Sequence, residues 1–239
     1  MKTLAVIAAA FAALFLQCEK RAADRPADVP PAGSNRAAAT AAPTARSDRP
    51  DAKNMDEIFS SNGARDGLEY RLVGRLQKKG THEGVNYPND NIVIEYEVKN
   101  ASGQNIILYS EGHSTETGAV VYVEPAAGGA VELSRKAFLE PAGKTCPARL
   151  VAVTPRGRLL KPGDVFRDKL YLELPLRAKT PFDDCEPATV LPPGAKTVKF
   201  CLGYQPAGDD VKTDEAGNIN PLPEVKDQRL LCSETGALK

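Results

Sequence analysis

Residues 91–99, NIVIEYEVK, largely alternate between apolar and charged side chains. One face of this segment carries the apolar side chains of Ile92, Ile94, Tyr96 and Val98. The opposite face carries the charged side chains of Glu95, Glu97 and Lys99. Because successive side chains of a strand point to opposite faces, this period of two predicts a β-strand with one face in a core. The turn-forming residues 100–103, NASG, follow it, and residues 105–109 are expected to return beside it.

Similar short segments lie on both sides of this strand, separated by turn residues. They are residues 68–76, 118–123, 150–153, 169–176, 196–204 and 228–232. Residues 132–139 fit either a strand or one or two helical turns. Short strands at regular spacing, without a long helical period, are typical of antiparallel sandwiches and barrels. We therefore predict an all-β domain, an antiparallel β-sandwich of about seven to nine strands.

Two Pro-Gly turns, at residues 160–164 (LKPGD) and 191–195 (LPPGA), precede two of these segments. Proline fixes φ at the first central turn position, and glycine permits a positive φ at the second. Together with the strand at 91–99, this order resembles that of bacterial immunoglobulin-like domains over roughly residues 90–205. The resemblance implies an immunoglobulin-like β-sandwich and no particular activity.

The first residues have the features of an export signal. Lys2 supplies a positive charge, and residues 4–16 form an unbroken apolar stretch that is too short to span a bilayer comfortably. Cys18 follows this stretch, which resembles the lipobox of bacterial lipoproteins. The resemblance implies that residues 1–18 are a signal peptide ending at Cys18, which is lipidated and holds the protein on a membrane of the cell envelope. The alternative is an ordinary cleaved signal that contains a cysteine.

Residues 19–55 differ in composition from what precedes and follows them. They are rich in alanine and proline, contain no aromatic residue, and have Val29 and Met55 as their only large apolar side chains. Such a segment cannot bury enough apolar surface to offset the entropy of ordering, and its prolines interrupt a helix. We predict a disordered tether at 19–55 and a folded domain at 56–239.

The charge balance limits the classes of partner. Lys and Arg number 31 and Asp and Glu number 31, so the formal net charge is zero. A domain that binds nucleic acid normally carries a basic excess. We therefore predict no nucleic-acid partner.

Four cysteines lie in the predicted domain, at Cys146, Cys185, Cys201 and Cys232. An even number in an exported domain predicts two disulfides, and no two of the four have the C-x-x-C spacing of redox or zinc sites. Three pairings are possible. We favour Cys201 with Cys232, because both lie in strands that should be consecutive, and Cys146 with Cys185, because both lie in proline-flanked loops.

Three segments resemble the beginnings of catalytic or phosphate-binding motifs. Residues 82–86 (HEGVN) lack the second histidine of a zinc-protease helix, residues 112–116 (GHSTE) lack the closing glycine of a nucleophile turn, and residues 143–145 (GKT) lack the first glycine of a phosphate loop. His113 and Ser114 are also adjacent, so in a strand they would face opposite sides. We predict polar turns here, with no catalytic residue, metal ligand or cofactor.

The longest polar stretch of the domain lies at residues 205–227. Its acidic part, residues 209–218, could offer oxygen ligands to calcium, but the D-x-D-x-D-G spacing is absent and Lys212 lies within it. We therefore expect a solvated loop there. The whole of 205–227 is our candidate contact surface for a partner, and the alternative is a mobile connection between two strands.

These features favour a lipid-anchored binding or interaction module of the cell envelope over an enzyme. The chain has 2 histidines, and neither lies in a complete catalytic motif. Two alternatives stay open. One is a proteinase-inhibitor-like sandwich that acts through a loop, and the other is a hydrolase that uses a pair of carboxylates.

Overall fold

The computed structural model describes residues 55–118 and 120–238. The predicted signal peptide, Cys18 and nearly all of the predicted tether lie outside these residues. Within the described part, no helix is both long and apolar enough to cross a membrane. The strands in chain order are β1 (Asp56–Arg65), β2 (Leu68–Gln77), β3 (Gly80–His82), β4 (Val85–Tyr87), β5 (Asn91–Asn100), β6 (Ile106–Leu108), β7 (Tyr122–Pro125), β8 (Val131–Arg135), β9 (Arg158–Leu160), β10 (Val165–Glu173), β11 (Thr197–Pro206), β12 (Lys212–Thr213), β13 (Ile219–Asn220), β14 (Arg229–Cys232) and β15 (Gly236–Ala237).

The first sheet contains four long strands in the order β1-β2-β5-β10, and every neighbouring pair is antiparallel. The NIVIEYEVK segment is β5, at the centre of this sheet. Its alternating apolar side chains are buried in the core. On its opposite face, Glu95 pairs with Arg75 of β2 at 2.8 Å and Glu97 pairs with Arg167 of β10 at 2.7 Å. The strand prediction for this segment is confirmed.

Two tight turns shape this part of the chain. Asp66 and Gly67 join β1 to β2 with φ values of 51° and 77°, and Glu83 and Gly84 join β3 to β4 with φ values of 50° and 80°. Positive φ at both central residues is the geometry of the tightest antiparallel hairpins. The HEGVN segment is therefore a hairpin turn, as predicted, and β1 is an additional strand that the alternation pattern did not indicate.

The second sheet has the order β7-β8-β11-β6-β9, and β14 and β15 also pair with β11. β8 and β11 run parallel, whereas the other pairs of this sheet are antiparallel. This pair is therefore the exception to the predicted antiparallel pairing. The chain between β8 and β11 passes through β9 and β10 before it returns in the same direction, as a parallel connection requires. The ambiguous residues 132–139 begin as strand β8.

β6 does not return beside β5 as predicted, because the chain crosses to the second sheet after Asn100. The buried Asn100 amide donates hydrogen bonds to the carbonyls of Gln104 and Leu160, each at 2.9 Å, and so holds the crossing in place. β6 pairs instead with β11 and β9. Residues 150–153 form no strand, and the predicted strand at 118–123 is β7, which begins at Tyr122.

Both sheets contribute to one apolar core, so the prediction of an all-β sandwich is confirmed. The core side chains that are completely inaccessible to solvent include Leu72, Ile92, Ile94, Val98, Leu108, Leu133, Phe200 and Leu202. The two sheets hold four and seven strands, and the remaining strands form two-stranded ribbons. The predicted seven to nine strands are therefore too few, because two- and three-residue strands are too short to give a visible alternation. The narrower immunoglobulin-like assignment stays a prediction.

A partly buried ion pair, in which only the arginine is fully buried, joins the two sheets. The Arg135 guanidinium of β8 lies 2.8 Å from the Asp168 carboxylate of β10 and is only 3% exposed. It also donates to the Tyr96 hydroxyl at 3.1 Å and to the Val120 carbonyl at 3.0 Å. With several acceptors the buried charge is well compensated, which is the condition under which such a pair holds a specific arrangement.

Both disulfides of the favoured pairing are present. Cys201 and Cys232 face each other in the register of β11 and β14. Cys146 and Cys185 join two loops that lie outside the main sheets. One bridge therefore reinforces the sandwich itself, whereas the other holds loop segments together.

Candidate functional site

An apolar recess of about 550 Å³ lies on the loops beside the Cys146–Cys185 disulfide. We define it by Leu139, Val151, Val153, Phe182 and Leu222. Leu139 and Val151 are 64% and 66% exposed. Leu150, which stands between two residues that line the recess, is fully exposed at a bend of the chain. Exposed apolar side chains that cluster in this way mark binding surfaces more often than single exposed ones do.

The Cys146–Cys185 disulfide holds one wall of the apolar recess. Next to it, Thr145 and Glu186 exchange two backbone hydrogen bonds of 2.9 Å. Arg149 pairs with the Asp184 carboxylate, and its guanidinium lies 5.1 Å from the centre of the Phe182 ring. These contacts fix an irregular segment that no sheet supports.

Ser114 holds the end of the same wall. Its backbone N–H donates to the Thr154 carbonyl at 2.8 Å, and its hydroxyl donates to the Ala152 carbonyl at 3.0 Å. The Thr154 N–H in turn donates to this hydroxyl at 3.1 Å. The serine of the GHSTE segment is therefore a structural clasp, and its hydroxyl makes no contact with the adjacent histidine.

His113 is completely buried behind the apolar recess, in a chain of hydrogen bonds. Its Nδ1 lies 2.5 Å from the Tyr122 hydroxyl, which donates to the Glu116 carboxylate. The Phe138 N–H donates to its Nε2 at 3.1 Å. Since Tyr122 gives its proton to Glu116 and Nε2 accepts from Phe138, these contacts assign the imidazole as neutral with its proton on Nδ1.

Burial governs the titration of this chain. Loss of hydration lowers the pKa of His113 to about 4, and the nearby positive charge of Arg156 acts in the same direction. Burial and the hydrogen bond to Glu116 raise the pKa of Tyr122 well above its ordinary value. Both ring nitrogens of His113 are occupied, so in this conformation the imidazole has no nitrogen free to serve as a base for a substrate. The sequence placed His113 in a polar loop, and the structure corrects this.

The other two motif fragments have ordinary structural contacts. His82 ends β3, and its Nε2 lies 2.7 Å from the Lys78 carbonyl. Gly143 has a positive φ of 76° in a turn, and the Lys144 ammonium donates to the Thr189 hydroxyl at 2.9 Å. Each residue serves a local turn or loop contact, as expected from the incomplete motifs.

The acidic segment 209–218 is part of a small folded hairpin rather than a solvated loop. β12 and β13 pair there, and Val211 and Ile219 are buried against Ile107 and Tyr109 of the second sheet. The Asp214 carboxylate accepts hydrogen bonds from the Ala216 and Asn218 backbones and the Asn218 amide, which hold its pKa below the ordinary value. Among residues 55–118 and 120–238, no three His, Cys, Asp or Glu side chains are grouped to hold a metal ion.

Only the end of the predicted contact loop 205–227 reaches the apolar recess, through Leu222 and Val225. The mobile-connection alternative is wrong for residues 212–220 in its middle, which form the β12–β13 hairpin. Sequence reasoning missed the rest of the recess. The available signal was the apolar run at 150–153, shortly after Cys146 and Pro147. This run lacks the alternation of a half-buried strand.

The comparisons with known proteins add no relative. No protein-family model matches the chain, and no curated protein or solved structure matches it.

Proposed function

We propose that this chain is an exported, lipid-anchored binding module of the bacterial cell envelope, and that its sandwich domain binds an apolar segment of a partner protein at the apolar recess. The observation that carries this proposal is the clustering of exposed large apolar side chains there. Leu139, Val151 and Leu222 line the recess, and the fully exposed Leu150 stands between two residues that line it. Large apolar side chains are normally buried when a protein folds, so a cluster of exposed ones marks a surface that a partner covers.

The energetics of such a contact are favourable. Burying one Leu or Val side chain contributes about 1.5–3 kcal/mol. The disulfide and the Ser114 clasp already order the recess wall, so a partner would find it pre-organised. Arg149 is paired with Asp184 and needs no charge from the partner. A few apolar side chains of the partner would therefore suffice for specific binding.

Export and anchoring rest on other observations. Two disulfides favour an oxidising compartment, which agrees with a signal peptide at 1–18. Lipidation of Cys18 would attach the domain to a membrane through the predicted tether at 19–55. A Cys18→Ser variant should move the protein from the membrane fraction to the soluble fraction. A wild-type protein that is already soluble after signal cleavage would contradict the anchor.

The partner can be sought with a pair of matched variants. Leu150→Asp places a charge between two residues that line the recess, whereas Val190→Asp changes a side chain that is 75% exposed and whose chain neighbours do not line it. In-cell crosslinking and mass spectrometry should find a partner with the wild type and Val190→Asp but not with Leu150→Asp. The purified partner should then bind the wild type and Val190→Asp more tightly than Leu150→Asp. Equal capture by both variants would contradict the recess as the binding site.

A proteinase-inhibitor-like function is the second candidate, and one observation favours it. Leu150 projects from an exposed bend beside a disulfide, where a protease with an apolar specificity pocket could reach it. Inhibition of such proteases by the wild type but not by Leu150→Asp would select this function. No such observation favours the carboxylate hydrolase at the recess, where the Asp184 carboxylate pairs with Arg149.

A further inference from the structure

Phe138 has two roles that connect the apolar recess to the buried histidine. Its side chain lines the recess. Its backbone N–H donates to His113 Nε2 at 3.1 Å, and its ring packs edge-on against the His113 and Tyr122 rings at centroid distances of 5.7 and 4.8 Å. The recess wall is thus held to the core by a hydrogen bond whose acceptor, His113 Nε2, is lost when the imidazole is protonated.

Protonation of His113 would convert Nε2 from an acceptor into a donor. Two N–H groups would then face each other at hydrogen-bond distance, with the imidazole itself inaccessible to solvent. A buried charge and a lost acceptor both disfavour the closed arrangement. Releasing Phe138 would relieve both by admitting water to the imidazole.

The charged and titratable groups around this site decide which of them responds to pH. Those that face His113, Tyr122 or the Phe138 ring from the neighbouring elements are Glu116, Arg135, Lys136 and Arg156. Three of the four are cationic and oppose a further positive charge. The Glu116 carboxylate bonds to Tyr122 rather than to the imidazole.

We infer that His113 is a pH-sensitive latch on the apolar recess, and that acidification releases Phe138 and loosens the wall that follows it. The inference rests on the proposed function only for its consequence, which is weaker partner binding in acid. The latch itself is a property of the isolated domain. It would make binding respond to the acidity outside the cell, to which an exported domain is exposed.

The size of the effect follows from the two protonation equilibria. In the closed state the pKa of His113 is about 4, and in an opened, hydrated state it returns to an ordinary value of roughly 6.5. The opened fraction therefore rises by about 50-fold between pH 7 and pH 4.5, and approaches a limit of roughly 300-fold in stronger acid. The opened fraction rises rather than falls in acid, because the opened state binds the proton more tightly.

Amide hydrogen exchange on the purified domain tests the latch without any partner. After correction for the intrinsic pH dependence of exchange, protection of the Phe138 amide should fall about 50-fold between pH 7 and pH 4.5. The Phe200 amide, which donates to Ser233 Oγ in the core, is the internal reference. Unchanged protection at Phe138, or an equal fall at Phe138 and Phe200, would overturn the latch.

Matched variants identify the titrating group. His113→Gln keeps an acceptor for Phe138 but does not titrate, so the pH response should disappear, whereas His82→Gln should retain it. Glu116→Gln should also retain it, and a response lost there instead would assign the switch to the carboxylate and overturn the proposal. If His113→Gln fails to fold, wild-type NMR decides. The Phe138 amide resonance should follow the His113 ring titration, and a Phe138 resonance that ignores it would refute the latch.

These outcomes separate the latch from the proposed function. A failed latch leaves the Leu150→Asp experiment at neutral pH unaffected. A failed binding experiment leaves the exchange measurement on the isolated domain unaffected.

Discussion

The first sheet and the apolar recess are built in opposite ways. In the first sheet, apolar side chains alternate along long strands and point into the core, and charged ones pair across the outer face. In the recess, apolar side chains stay exposed on irregular segments that a disulfide and side-chain hydrogen bonds hold in place. The contrast indicates that the sheet's apolar residues serve stability, whereas those of the recess are free to serve binding.

The largest expected effect comes from a substitution in the core between the two sheets. Phe200→Ala removes a completely buried ring from the core between the sheets. We expect the free energy of unfolding to fall by about 3–5 kcal/mol, because the lost burial and the remaining cavity both destabilise. Urea denaturation followed by circular dichroism measures it. A loss below about 1 kcal/mol would show that the core rearranges around the deleted ring.

The two disulfides offer the next test, because each belongs to one of the two regions. Replacing Cys201 and Cys232 by alanine, or Cys146 and Cys185, should lower the free energy of unfolding by about 2–4 kcal/mol in each case. The distribution of the loosening should differ. Loss of the Cys201–Cys232 bridge should raise exchange in β11 and β14, and loss of the Cys146–Cys185 bridge should raise it only around the recess. Identical exchange maps would contradict the separation of the two regions.

Stability in acid should report the buried histidine with a defined sign. The pKa of His113 is lowered to about 4, so below roughly pH 6.5 the unfolded chain binds a proton that the folded domain resists. The stability contributed by the neutral imidazole is present above pH 6.5 and is lost progressively toward pH 4, by roughly 3 kcal/mol.

The control for this measurement is the difference between the wild type and His113→Gln, because carboxylates also titrate in acid. Denaturation at several pH values from 7 to 4 gives the free energy of unfolding of each protein as a curve against pH. The two curves should converge or cross, because only the wild type loses the contribution of His113. Curves that stay parallel over this range would show that His113 does not bear the pH dependence. A smaller loss than expected, together with local exchange at Phe138, fits a latch that opens before the domain unfolds.

The sequence could predict the regions where the pattern is local. The alternation of β5 indicates its buried face, and the positions of Cys201 and Cys232 in neighbouring segments favour their bridge. The Asp66-Gly67 pair is an equally local signal, which indicates the β1–β2 hairpin where the alternation pattern does not. Local patterns are sufficient in these cases because the partner strand lies close in sequence or repeats the same period.

The sequence could not predict the recess, because its contacts join distant segments. The Ser114 clasp on residues 152–154 and the Phe138 bond to His113 depend on how loops meet after folding. The burial of His113 has the same origin, since its neighbours Gly112 and Ser114 give no indication of an apolar environment. The parallel pairing of β8 with β11 likewise depends on the path of the intervening chain.

The smallest expected effect on stability is that of a substitution at Leu150, where stability and binding should respond differently. Leu150 is fully exposed at its bend, so Leu150→Ser removes almost no buried surface and should change the free energy of unfolding by less than about 0.5 kcal/mol. Partner binding should nevertheless weaken, because a buried leucine contributes about 1.5–3 kcal/mol at an interface. Urea denaturation and titration with the purified partner measure the two quantities on the same variant, and Val190→Ser is the matched control.

A Leu150→Ser domain that loses stability would place this leucine with the core, whereas one that keeps both stability and binding would remove it from the interface. Loss of binding alone is the result expected if exposed apolar side chains are retained at the recess for a partner.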